Sequence, residues 1–120
     1  MHSELRLLIE RIAYNEYWFG KFYKTLWTFW YRGRNQMKRI EGHYVDGKQA
    51  GLWTRWYSNG AKREEGQYKE HLKTGIHTLW YRNGKKRSEG QYEYGKKTGL
   101  WTFWNPDGNM RRTITYGKSL

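Results

Sequence analysis

Leu52-Trp-Thr-Arg-Trp-Tyr57 returns 24 residues later as Ile76-His-Thr-Leu-Trp-Tyr81 and again as Leu100-Trp-Thr-Phe-Trp-Asn105. It is preceded by Leu26-Trp-Thr-Phe-Trp-Tyr31. Other columns keep the same step: Tyr44, Tyr68, Tyr92 and Tyr116; Gly51, Gly75 and Gly99; Arg39, Arg63, Arg87 and Arg111. A period of this size means one supersecondary unit stacked on copies of itself. Such arrays present a surface rather than enclose a reaction chamber, so the period points to binding and away from turnover.

Each unit reads strand, turn, strand, turn. Trp, Tyr and Thr dominate the first strand, and all three suit a pleated, half-buried surface. Asn59-Gly60 and Asn83-Gly84 predict two-residue type I′ hairpins, because both central residues of that turn need positive φ. Asp107-Gly108 plays the same part in the last unit, and Arg32-Gly-Arg-Asn-Gln36 makes a longer turn in the first. The second strands fall at 38–44, 62–68, 86–92 and 110–116. Gly-bearing connections over 46–51, 70–75 and 95–99 join the units.

Alternation sorts side chains onto two faces. Leu52, Thr54 and Trp56 share one; Trp53, Arg55 and Tyr57 share the other. The Leu/Ile-Thr-Trp face keeps its residue types in every unit, so it is expected to carry the stacking, with Trp30, Trp56, Trp80 and Trp104 structural. The drifting face is left for recognition, with Tyr31, Tyr57, Tyr81 and Trp53 as exposed rings. A two-residue turn places Trp53 opposite Gly66, Trp27 near Gly42 and Trp101 near Ile114. A ring over a cross-strand glycine stabilises a strand.

The 120 residues form one domain. Residues 1–25 are read as a capping helix and an aromatic half-repeat, and 26–120 as the hairpin repeats. Leu5, Leu8, Ile9 and Ile12 make one apolar stripe from Ser3 to about Tyr14, a helix that would cover the first sheet edge or pair with a partner. No window is apolar enough for a membrane-spanning helix, no secretory signal is read, and no Cys is present, which suits a cytoplasmic chain. The net charge is +12, from 23 Lys and Arg against 11 Asp and Glu. That field attracts polyanions or acidic surfaces, or keeps a ring-rich sheet soluble.

Gly51-Leu-Trp-Thr-Arg-Trp-Tyr-Ser-Asn-Gly60 followed by Glu65-Gly-Gln-Tyr68 resembles the MORN-repeat variant family. The pattern recurs at Gly75–Gly84 with Glu89–Tyr92 and at Gly99–Gly108. It extends to Leu26–Tyr44, so the resemblance covers about residues 26–117. It implies an elongated, twisted array of β-hairpins without enzymatic activity, serving protein or phospholipid interaction, with some relatives acting as antitoxins. His77 departs from the Trp column, and His71-Leu72 replaces the Gly-Lys of Gly47-Lys48 and Gly95-Lys96. The expected fold is therefore an all-β repeat: an open antiparallel sheet of about eight strands with a short N-terminal helix.

Catalytic chemistry finds little support. His2, His43, His71 and His77 lack metal-ligand spacing, and His77 sits in a structural column as a packing residue. Glu41, Glu65 and Glu89 each follow an Arg by two residues, which reads as a same-face salt ladder rather than acid–base machinery. No cofactor and no small-molecule substrate is implied. The candidate binding residues are Arg55, Tyr57, Arg82, Tyr81, Lys62, Lys85, Lys86, Tyr31, Trp53, Lys73 and Lys97. Rings with Arg suit an interface hot spot on an acidic protein or nucleoprotein, as in an inhibitor, an adaptor, an antitoxin or a phage counter-defence protein. The same set suits RNA or single-stranded DNA, where bases stack on rings. Anionic lipid ranks third.

Overall fold

In the computed structural model, which describes residues 5–6, 24–32 and 37–117, nine strands form one antiparallel sheet in sequence order. They are β1 (Leu5–Arg6), β2 (Lys24–Tyr31), β3 (Lys38–Val45), β4 (Lys48–Trp56), β5 (Lys62–Lys69), β6 (Leu72–Trp80), β7 (Lys86–Glu93), β8 (Lys96–Trp104) and β9 (Met110–Tyr116). Eight of them carry the repeat, and β1 adds a two-residue pairing with Trp30 and Tyr31 of β2. The helix expected from Ser3 to Tyr14 lies largely outside the described residues, and at Leu5 and Arg6 the backbone is strand. The aromatic half-repeat before Lys24 also lies outside them.

The two kinds of turn exchange the roles the sequence suggests. At Tyr57–Ala61 the loop has three residues, Ser58-Asn59-Gly60: Gly60 N–H donates to Tyr57 O at 3.0 Å, and Tyr57 N–H to Ala61 O at 2.8 Å. Only Gly60 has positive φ, at 88°, so this is a type I turn closed by a left-handed glycine, not type I′. Asn59 acts through its side chain. Its Oδ1 accepts from Ala61 N–H, and its Nδ2 donates to Arg82 O of the next unit at 3.0 Å. Asn83 bonds Pro106 O in the same way.

The type I′ geometry sits between the units instead. Asp46-Gly47, Glu70-His71 and Tyr94-Gly95 have positive φ at both residues. These are two-residue turns, and the remainder of each expected connection is strand. His71 holds φ 73° without being glycine, and its Nδ1 accepts from the N–H of Gln49, near the start of β4, at 3.2 Å.

A three-residue loop alone would slip the pairing by one residue and turn every later side chain to the other face. The register is restored because one residue of β5 bulges out. Trp56 pairs with Lys62 and Arg55 with Glu64, which leaves Arg63 as the extra residue. Arg39 and Arg87 take the same place in their hairpins, and Arg111 in the last. Trp53 therefore still faces Gly66, Trp27 faces Gly42, and Trp101 faces Ile114.

The core is a single row of rings on one face. Trp27, Tyr44, Trp53, Tyr68, His77, Tyr92, Trp101 and Tyr116 follow one another across the sheet edge-to-face, with centroids 4.9 to 6.2 Å apart. This is the favoured aromatic geometry. Trp53 is 4% exposed and Trp101 3%. Three of the rings are laid on a glycine of the strand before them, Trp53 on Gly42, His77 on Gly66, with which it also pairs, and Trp101 on Gly90. In β9 the glycine column holds Ile114.

This reverses the expected faces. Trp53 is core rather than an exposed ring, whereas Leu52 is 47% and Leu100 61% exposed. On that second face Thr28, Thr54 and Thr78 are buried and donate to Glu41, Glu65 and Glu89 at 2.8, 3.0 and 2.8 Å. Trp56, Trp80 and Trp104 lie half-buried beneath Lys38, Lys62 and Lys86.

Candidate cationic interface

His77 shows how the row tolerates a substitution. Its Nε2 lies 2.8 Å from Gln67 O, as Trp53 Nε1 donates to His43 O at 3.1 Å and Trp101 Nε1 to Gln91 O at 3.2 Å. The imidazole thus reproduces the indole's hydrogen bond with a smaller ring. Its Nδ1 is buried without a partner, and burial holds its pKa below the usual histidine value.

The salt ladder expected between the Arg and Glu columns does not form, because the bulge between them sends the two columns to opposite faces. Glu41, Glu65 and Glu89 are instead held by the lysines three residues before them: Lys38 at 3.1 Å, Lys62 at 3.0 Å and Lys86 at 3.0 Å. Burial works against ionisation of Glu89, but the Thr78 hydroxyl and Lys86 outweigh it and keep its pKa below the ordinary value. The bulged arginines lie over tyrosine rings. Arg39 lies 5.5 Å over Tyr31, Arg63 5.7 Å over Tyr57 and Arg87 5.8 Å over Tyr81. Arg82 covers Tyr57 at 4.9 Å. A guanidinium held over a ring by this attraction keeps N–H donors available to a partner.

Charge is consequently sorted between the faces. The ring face carries Arg39, Arg55, Arg63, Lys73, Arg87, Lys97, Arg111 and Arg112, and among the described strand residues Glu64 is its one carboxylate. On the opposite face the central lysines are each bound to a glutamate. Between β5 and β9 the cationic face opens into a cleft of about 340 Å³. Leu79, Ser88 and Phe103 line it, with Lys73, Arg87, Lys97, Arg111 and Arg112 around them.

A family model described as MORN repeat variant matches residues 49–70, 73–94 and 97–118, more than half of the chain. The chain belongs to the MORN-repeat variant family. Neither curated proteins nor solved structures yielded a match. MORN repeats are binding repeats for proteins or membranes, and the family is not known for enzymatic activity. The three matched MORN units are β4–β5, β6–β7 and β8–β9. The hairpin β2–β3 repeats their geometry ahead of the match, with Tyr31 N–H donating to Met37 O across its longer loop.

Against this MORN framework the candidate binding residues separate into groups. Arg55, Lys73 and Lys97 come together on the cationic face. Tyr31, Tyr57 and Tyr81 are half-buried ties between units, their hydroxyls donating to Trp56 O, Trp80 O and Trp104 O at 2.7 Å each. Arg82 and Lys85 stand at the hairpin tips, with Lys85 Nζ donating to Asp107 O at 2.9 Å. Lys62 and Lys86 lie on the opposite face, engaged with Glu65 and Glu89. Trp53 is buried and cannot meet a partner. The reading of the sequence missed Arg63, Arg87, Arg111 and Arg112. For the first three the signal was the extra residue that a three-residue turn demands; Arg112 is placed on the ring face by its pairing with Phe103.

Proposed function

We propose that this MORN-variant chain is a non-enzymatic inhibitor or adaptor that docks on an acidic face of a protein partner through its cationic face. The sorting of charge supports this most directly: guanidinium groups held over tyrosine rings stand on one side, while the central lysines of the other side are neutralised within the molecule. Leu79 and Phe103 between the cations add the apolar contact that a protein interface uses.

The alternatives draw less support. Bases need open rings to stack on, and Trp53 and Trp101 are 4% and 3% exposed. Interfacial lipid binding needs unengaged cations beside exposed apolar side chains, yet the exposed Leu52, Ile76 and Leu100 share their face with Lys38, Lys62 and Lys86, which are each bound to a glutamate.

The test is titration of labelled polyglutamate at physiological salt, comparing R63Q/R87Q with K62Q/K86Q. The two variants remove the same charge from opposite faces. R63Q/R87Q is expected to weaken binding about ten-fold or more and K62Q/K86Q less than about three-fold. Equal losses would mean that only the overall field acts. Tighter binding of a uridine oligonucleotide than of polyglutamate by the unaltered protein would favour nucleic acid.

A further inference from the structure

The repeat carries its own guide to where an acidic group sits. In the unit β4–β5–β6, Glu64 lies on the cationic face with its carboxylate 3.4 Å from Lys73 Nζ and 3.7 Å from Arg55 Nε. Burial pulls the Lys73 pKa down, but the Glu64 carboxylate outweighs it and the ammonium is held above its usual value. One period on, Lys97 occupies the column of Lys73, paired with Tyr92 as Lys73 is with Tyr68. The column of Glu64 holds Ser88, paired with Phe103 as Glu64 is with Leu79.

Ser88 is buried and too short to reach where the Glu64 carboxylate lies. The cation has nevertheless been kept. Lys97 Nζ rests 4.9 Å over Trp101 and 5.5 Å over Tyr116, and among the described residues no carboxylate is within ion-pair reach of it. A second cation lines the same cleft, Arg112, held 5.6 Å over Phe103. The cleft described above opens at this point, with Ser88 and Lys97 in its wall.

We propose that the space beside Ser88 is a carboxylate site for an acidic side chain of the protein partner, the counterpart of the place that Glu64 fills internally one unit earlier. The inference rests on the cationic-face reading above. The incoming carboxylate accepts from Lys97 and Arg112, the Ser88 hydroxyl stands at the floor as a further donor, and Phe103 and Leu79 take an adjoining apolar side chain. The preferred segment thus carries Asp or Glu beside a large apolar residue. A guanidinium and an ammonium converging on one carboxylate make a charge-assisted site.

The probe is a fluorescein-labelled twelve-residue peptide of Glu and Leu, followed by anisotropy. S88E supplies the carboxylate internally and is expected to weaken peptide binding about ten-fold. E64S removes the internal occupant and is expected to tighten binding or add a second equivalent. Because S88E alters a buried position, K97Q provides a surface route to the same loss, with K96Q, on the opposite face, as the matched charge control. K97Q losing no more than K96Q overturns the site. If R63Q/R87Q then still weakens binding, the cationic face stands without this site; if it does not, both readings fall. Displacement of the peptide by inorganic phosphate, with no dependence on its Leu residues, would overturn the assignment to a protein segment in favour of a free anion.

Discussion

The indole of Trp53 lies on the α-carbon of Gly42, so closely that a Cβ at position 42 would fall 2.0 Å from Trp53 Cδ2. His77 stands in the same relation to Gly66 and Trp101 to Gly90, each with a nearest approach of 2.1 Å. The conformations of these glycines are ordinary. They are required for the room they leave, and without that room the row of rings could not lie flat on the sheet.

Gly90→Ala is therefore expected to destabilise the protein by about 1–3 kcal/mol, the usual penalty for forcing extra atoms into a packed site. Gly117→Ala, where a Cβ would meet nothing within 4 Å, is the matched control. Thermal unfolding followed by tryptophan fluorescence separates them. Equal melting temperatures for the two variants would contradict the ring-on-glycine packing.

His77→Trp should stabilise the chain. The indole restores the column residue, keeps the donor to Gln67 O and removes a buried nitrogen without a partner, a defect that costs about 1–3 kcal/mol. The pH dependence changes with it. The folded-state pKa of His77 is depressed, so the unfolded chain takes the proton first. The stability involved is present above about pH 6.5 and is lost as pH falls below it towards the folded-state value. Replacing His77 should flatten the decline in this window. Part of the decline remains, because burial and Lys24 also depress His43. An unchanged slope would show that His77 is not the titrating group.

Tyr57→Phe removes the hydroxyl that donates to Trp80 O across two units. The expected loss is about 1 kcal/mol. Tyr57→Phe with Tyr81→Phe should lose close to twice as much, because the residues share no partner and act independently. A shortfall well beyond measurement error would mean that the ties between units are coupled.

Thr78→Val tests the second face. Thr78 is buried and its hydroxyl is one of the groups that hold the Glu89 carboxylate ionised. The substitution should cost about 1 kcal/mol at neutral pH and raise the Glu89 pKa. A carboxylate held below its ordinary value stabilises the fold above that value, and the contribution disappears as pH falls through the folded-state pKa. The acid-unfolding midpoint of the variant should therefore move to higher pH. A midpoint that stays put would remove the hydroxyl from this role.

Much of the fold was legible because the 24-residue columns record it directly. Strand positions, antiparallel order and the pairing of Trp53 with Gly66 all follow from the spacing. Which face is buried did not follow, because alternation defines two faces without ranking them, and both carry tryptophan. The deciding signal was present in the mid-strand glycines Gly42, Gly66 and Gly90, which make room for rings on one side only. The Asn-Gly turns misled because they satisfy two hairpin geometries. Only the compensating bulge at Arg63 distinguishes these, and it reaches beyond the turn. The same bulge breaks the rule that residues two apart share a face. It hid the arginines of the candidate site and made Arg63 and Glu65 look like partners.

Ile114 bears on how such a chain can change length. A further unit joined after β9 would bring its own ring down on position 114, where the isoleucine side chain already stands and where β3, β5 and β7 offer bare backbone. A ring laid there would have to displace the isoleucine, whereas a duplicated segment spliced between β4 and β8 would meet a glycine on one side and a ring on the other. The interior units are in this sense interchangeable with one another, while the last hairpin is not interchangeable with them.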